Sequence, residues 1–100
     1  MVTYMLVRHK VRDFSAWKRI YDVHLPKRKE AGITEKNLFR SAADTNEVFI
    51  LFEVTDMARA KAFTESADLR DIMMKAGVVD RPDIYFLNDQ PVALKAASGF

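Results

Sequence analysis

No stretch constrains this chain more than Val2 to Val11. Read as a β-strand, it places Val2, Tyr4 and Leu6 on one face and Met5, Val7, His9 and Val11 on the other. A strand wetted on one side alternates apolar with polar residues, whereas this one is apolar on both. Its sheet must therefore be covered twice. Glu47 to Val54 (EVFILFEV), the most strand-like stretch in the chain, makes the same demand, with Ile50 and Phe52 on one parity and Phe49 and Leu51 on the other. The alternation does not decide which parity faces inward.

The cover on one face comes from two helical segments. Asp13 is placed to cap the first, its carboxylate accepting from the free amides of the opening turn. Phe14, Trp17, Tyr21, Leu25 and Arg28 then recur at spacings of three and four, an amphipathic stripe. A proline inside a helix costs about 3 kcal/mol, so Pro26 predicts a kink or break near Leu25. The segment ends at Ala31-Gly32, where glycine suits a left-handed cap. Asp56 opens the second segment, which carries Ala60, Phe63 and Ala67 and runs through Leu69, Ile72 and Met73 to Gly77. The polar step Glu65-Ser66-Ala67-Asp68 predicts an interruption within it.

Between the helical segments lie two strands, Glu35 to Ala42 and Glu47 to Val54, joined by the turn chemistry of Ala43-Asp44-Thr45-Asn46. They are expected to pair as an antiparallel hairpin. After Pro82, Asp83 to Leu87 (DIYFL) supplies a last strand. The order is β-α-β-β-α-β, which predicts an α+β ferredoxin-like domain with a four-stranded antiparallel sheet over residues 1–88 and a tail over 89–100. Two helices cover only one face of such a sheet. A bare apolar face of that size predicts an interaction surface, and a second copy set sheet against sheet about a two-fold axis closes it economically. In the tail, Val92 and Leu94 are expected to pack across that dimer while Ser98 to Phe100 fray.

Composition removes several functional classes. The chain has 100 residues and no cysteine, so it has no disulfide framework, thiol nucleophile or cysteine-ligated zinc. Sixteen Lys and Arg against 14 Asp and Glu is too even a balance for a general nucleic-acid binder. Two histidines with no HxxxH or HExxH spacing make no recognisable metal set. No apolar run approaches the roughly 20 residues that span a bilayer, and the N-terminal stretch lacks a basic region and a cleavage site. A cytoplasmic protein acting without nucleic acid or membrane is the expectation.

The run His9-Lys10-Val11-Arg12-Asp13-Phe14, with Trp17-Lys18 and Tyr21-Asp22, resembles the start of small dimeric α/β-barrel proteins. Ala62-Phe63, Ser66, Leu69, Met73, Ala76-Gly77-Val78 and Pro82-Asp83-Ile84 resemble their second half. These proteins belong to the antibiotic-biosynthesis-monooxygenase superfamily. The resemblance covers roughly Val2 to Leu87 and implies a sheet-to-sheet dimer acting on a small molecule. The superfamily includes oxygenases, isomerases, cyclases and haem-degrading enzymes. Its haem-degrading members carry an Asn in the first strand and a His on the second helix, and this chain has neither. Nor does it have the glycine-containing aromatic signature of RNA-recognition domains or the CxxC of metal chaperones.

Candidate site residues follow from this frame. His9 shares its parity with Met5 and Val7. It is either a buried neutral imidazole or, if that parity faces the helices, a base in an apolar cavity. Trp17 and Tyr21 are either core or the walls of a pocket for a planar ligand, with Tyr21 and Tyr85 offering hydroxyls. His24 follows one turn on, beside the expected break. Asn37 and Arg40 are candidates to orient a substrate, and Glu53 reads better as an exposed or interfacial carboxylate. Lys27-Arg28-Lys29 reads as a solvated helix end. The resemblance implies a monooxygenase without cofactor, or an isomerase or cyclase, acting on a small polar aromatic or enolisable metabolite. The alternative is a non-catalytic binding or interaction module. A true cavity lined by His9, Trp17 and Tyr21 separates the two.

Overall fold

A computed structural model describes residues 2–89 of the chain, so the expected packing of Val92 and Leu94 lies outside the described residues. Among the described residues there are four strands: β1 (Thr3–Lys10), β2 (Ile33–Arg40), β3 (Glu47–Val54) and β4 (Asp83–Asn88). They form one antiparallel sheet in the order β2-β3-β1-β4. The helical segments are α1 (Phe14–Val23), α2 (Leu25–Glu30), α3 (Met57–Thr64) and α4 (Ala67–Lys75). This is the expected ferredoxin-like α+β arrangement, with each crossover made of two short helices.

The breaks fall where backbone chemistry puts them. Asp13 accepts from the Ala16 amide and starts α1, and Asp56 does the same for α3 through Arg59. Pro26 cannot donate to the preceding turn, so α1 stops at His24 and α2 begins with the proline in its first turn. Ser66 accepts from the Leu69 amide and starts α4, so the polar step does interrupt the second segment. Gly32 and Gly77 take positive φ, 74° and 84°, where the helical segments end. Strand ends differ from expectation by one or two residues: β1 is Thr3–Lys10 and not Val2 to Val11, β2 ends at Arg40 and not Ala42, and β4 runs on to Asn88. The second strand begins at Ile33, not Glu35, because the Gly32 turn lets Ile33 pair at once with Val54.

The register decides which parity is inward. Met5, Val7 and His9 of β1 lie against the helices with Val48, Ile50, Phe52 and Val54 of β3, and all are buried. Leu6 pairs with Leu51 and Tyr85, which puts Tyr4, Leu6, Phe49, Leu51, Tyr85 and Leu87 on the open face. A bulge between Glu35 and Asn37 reverses the parity of β2 midway. Glu35 and Leu38 both face the helices as a result, and Asn37 and Phe39 face away.

Candidate functional site

The helix-facing side of the sheet is not fully filled. A cavity with about 80 Å³ of free space lies between the four strands below and the helices α1 to α4 above. One water needs ~10–15 Å³, and an engineered cavity of about 150 Å³ admits benzene. The free space is therefore about half of one that admits benzene, and nothing larger than a single ring is enclosed in it. Its walls are apolar, with Met5, Val7, Ile50, Phe52, Leu69, Ile72 and Met73, except where His9, Tyr21, His24, Thr64 and Arg28 intrude.

His9 reaches the cavity from the last inward position of β1 and is 5 % exposed. Neither ring nitrogen has a hydrogen-bond partner among the described residues. Burial pulls its pKa down to about 4, against the weaker upward pull of the Asp80 carboxylate, so the ring is neutral at pH 7. A neutral imidazole offers one donor and one acceptor. Trp17 presents its ring to His9 edge to face at 5.5 Å and stacks on Tyr21 at 4.7 Å and 22°. Those two rings lie one helical turn apart on α1, so the stack follows from the stripe.

Tyr21 gives its phenol proton in a 2.7 Å hydrogen bond to the Glu35 carboxylate. Burial, reinforced by that bond, holds the phenol above its ordinary pKa and keeps it neutral. On the far side of the Tyr21 ring lies the Arg28 guanidinium, 3.8 Å from the centroid. Arg28 is 6 % exposed, which corrects its reading as part of a solvated helix end. Once the helix breaks at His24, α2 turns back and lays Arg28 over α1, where its Nη1 donates to the Tyr21 carbonyl at 2.7 Å. Its charge hid a position that the helical spacing had already placed on the inner stripe. His24 is also buried and stacks against Phe63 at 5.7 Å. Burial and then the charge of Arg28 lower its pKa.

The other expected site residues are not gathered here. Arg40 stacks on Phe14 at 3.9 Å at the rim of the aromatic row and donates to the Thr45 carbonyl. Tyr85 and Asn37 lie on the open face, with Tyr85 54 % exposed, so the sheet itself separates them from the cavity. Glu53 pairs there with Lys36 at 3.4 Å.

A ferredoxin-like α+β domain with a small apolar cavity beneath its helices is thus the class of protein that fold and site define. No protein-family model and no curated protein matches the sequence. Solved structures do match in fold. SnoaB, a cofactor-independent oxygenase from Streptomyces nogalater, superposes with a TM-score of 0.69 at 9% identity, over 90-odd percent of both chains (93% of this one and 97% of SnoaB). Rv0793 from Mycobacterium tuberculosis gives 0.64 at 16% identity over 93% and 99%. A protein from Caulobacter crescentus CB15 described as a candidate antibiotic biosynthesis monooxygenase gives 0.69 at 15% identity over 90% and 91%. The chain shares the fold of these solved structures, as the sequence resemblance implied.

Proposed function

We propose that this protein is a small-molecule enzyme that removes a proton from a single-ring phenol or enolisable metabolite inside the cavity, and that the resulting anion reacts with oxygen. The observation that carries the reading is His9, a neutral imidazole with both nitrogens unpartnered among the described residues, in an apolar cavity walled by Trp17 and Tyr21. A phenolate or enolate gives up an electron far more readily than its neutral parent, so the substrate itself supplies the electrons and the protein supplies a base and a dry cavity. The low pKa of His9 does not bar it from this task. The penalty falls on an isolated imidazolium, and a substrate anion formed beside it offsets that penalty. The likeness in fold to a cofactor-independent oxygenase favours oxygenation over isomerisation or cyclisation, which share the same first step.

One observation favours a second reading, a binding module without turnover: with a pKa of about 4 His9 is a weak base. Oxygen uptake by metal-stripped protein with a panel of single-ring hydroquinones decides between them. Turnover that falls by ~10²–10⁴ in His9→Ala supports the enzyme. Binding without uptake supports the module, and full turnover in His9→Ala removes His9 as the base.

The working unit is a homodimer closed through the open sheet face. Phe39, Tyr85 and Leu87 are 54 %, 54 % and 43 % exposed there, with Phe49, Leu51 and Leu6 half-buried between them. A second copy about a two-fold axis presents the same patch and covers it.

A further inference from the structure

Among the described residues, the cavity holds one full charge with no carboxylate in contact with it. Arg28 is buried, its Nη1 is spent on the Tyr21 carbonyl, and its Nε has no acceptor among the described residues. No carboxylate oxygen there comes within 4.0 Å of it, although Arg8 on the other side of the sheet takes three. The nearby acids are already engaged. Asp22 on α1 is paired with Lys18, and Glu35 on β2 accepts from the Tyr21 hydroxyl; both stand in solvent. Lys27 on α2 adds to the positive side, and Asp68 on α4 faces His24 from the exposed rim. Within the walls, Tyr21, His24 and His9 are uncharged at pH 7. A buried guanidinium is ordinarily matched by a carboxylate or phosphate. Among the described residues this one touches no carboxylate and feels only the longer-range pull of Glu35 and Asp22.

We propose that Arg28 is the anion anchor of this cavity, and that its ligand is a small weak acid, a phenol or enol, held as the anion with its oxygen accepting from Arg28. The inference rests on the cavity being a small-molecule site and deepens that reading by naming the ionised form as the one bound. The rest of the wall suits such a ligand. The apolar side chains and the Trp17–Tyr21 stack take a flat ring, and the space excludes a larger acid. A neutral His9 can receive the proton that the ligand loses, so neutral acid and empty protein become an anion held between imidazolium and guanidinium, with no net change in charge or atoms.

A coloured phenol tests this without any turnover. 4-Nitrophenol absorbs differently as phenol and as phenolate, so its ionisation when bound is read directly by spectrophotometric titration. In wild-type protein the acidity constant of the bound probe should rise by about tenfold or more, one pKa unit. Arg28→Gln, which keeps an amide donor for the Tyr21 carbonyl but loses the charge, should return it to the free value; Arg28→Lys should keep most of the shift. Should Arg28→Gln fail to fold, wild-type protein still decides through 4-nitroanisole, which has no proton to lose and should bind about tenfold more weakly in equilibrium dialysis. A bound probe that stays protonated, a shift that survives in Arg28→Gln, equal binding of the anisole, or no binding of the phenol overturns the proposal. Oxygen uptake judges the enzyme reading separately. Ionised probe without hydroquinone turnover sinks the enzyme and leaves the anchor, and turnover with a protonated probe does the reverse.

Discussion

His9 ties the cavity to stability through a single proton. In the unfolded chain its pKa is the ordinary 6.5, and burial lowers it to about 4 in the fold. Between those values the unfolded state binds the proton first, so stability is complete above pH 6.5 and falls as the pH drops towards 4. The loss is on the order of 3 kcal/mol. Urea denaturation across that window should show the midpoint falling, and His9→Phe should flatten most of the fall. A residual slope of the same sign is expected from His24, whose pKa is lowered for the same reason. A wild-type midpoint that holds constant across the window would mean that His9 is not desolvated. Trp17, the only tryptophan in the chain and in contact with His9, reports the same events by fluorescence.

At the scale of elements, the ends of the helices set the positions of the cavity walls. Gly32 closes α2 at a φ of 74°, and its carbonyl accepts from the Thr55 amide and hydroxyl. A Cβ there would both strain the backbone and collide with Thr55 Oγ1. Gly77 has a similar φ of 84°, but a Cβ there meets only Arg12, its Cβ at 3.6 Å and its N at 3.9 Å, both ordinary contacts. Gly32→Ala should therefore cost about 2–4 kcal/mol, and Gly77→Ala only the backbone strain, about 1–2 kcal/mol. Chemical denaturation of the two variants side by side checks the order. A second device holds the far wall. Arg8 binds Glu47 on β3, Asp80 in the loop and Asp83 on β4 at 2.9, 2.7 and 2.9 Å. Asp80 also accepts from the Lys10 amide at 2.8 Å. Although burial opposes ionisation of Asp80, the Lys10 amide and Arg8 outweigh it and keep its carboxyl below the usual range. Arg8→Met leaves three carboxylates facing one another beside Pro82 and Ile84, which line the cavity. It should lower Tm by several degrees at neutral pH and by less in acid, where the carboxylates take up protons. A pH-independent loss would assign Arg8 to packing alone.

For the whole molecule, the open face is the surface through which the proposed dimer closes. Phe39 and Phe49 face each other across β2 and β3, next to Leu51 and Leu6. Burying an aromatic side chain contributes about 1.5–3 kcal/mol, and a two-fold axis counts each contact twice. Sedimentation at micromolar concentration should give a dimer, and Phe39→Lys should give a monomer with an unchanged circular dichroism spectrum. A wild-type monomer at that concentration would remove the second copy from the proposal.

Much of this architecture was legible in the chain. Asp13, Pro26, Gly32, Asp56 and Ser66 act on their own backbone within a few residues, so the element order and helix breaks could be read locally. The stripe through Trp17 and Tyr21 placed the aromatic stack for the same reason. Parity could not be read where both faces of a strand are apolar. DIYFL serves equally well with Ile84 or Tyr85 inward, and only pairing of Tyr85 with Leu6 put that hydroxyl on the wrong side of the sheet for the cavity. The bulge after Glu35 is likewise a property of two strands, and it alone brings Glu35 round to Tyr21. Arg28 is the sharpest case. Its spacing assigned it to the inner face and its two lysine neighbours to the outside, and the conflict was settled by the turn of α2 back over α1. Local chemistry determined where the elements start and stop, while long-range pairing and packing decided which side chains share the enclosed space, because that depends on residues far apart in the chain.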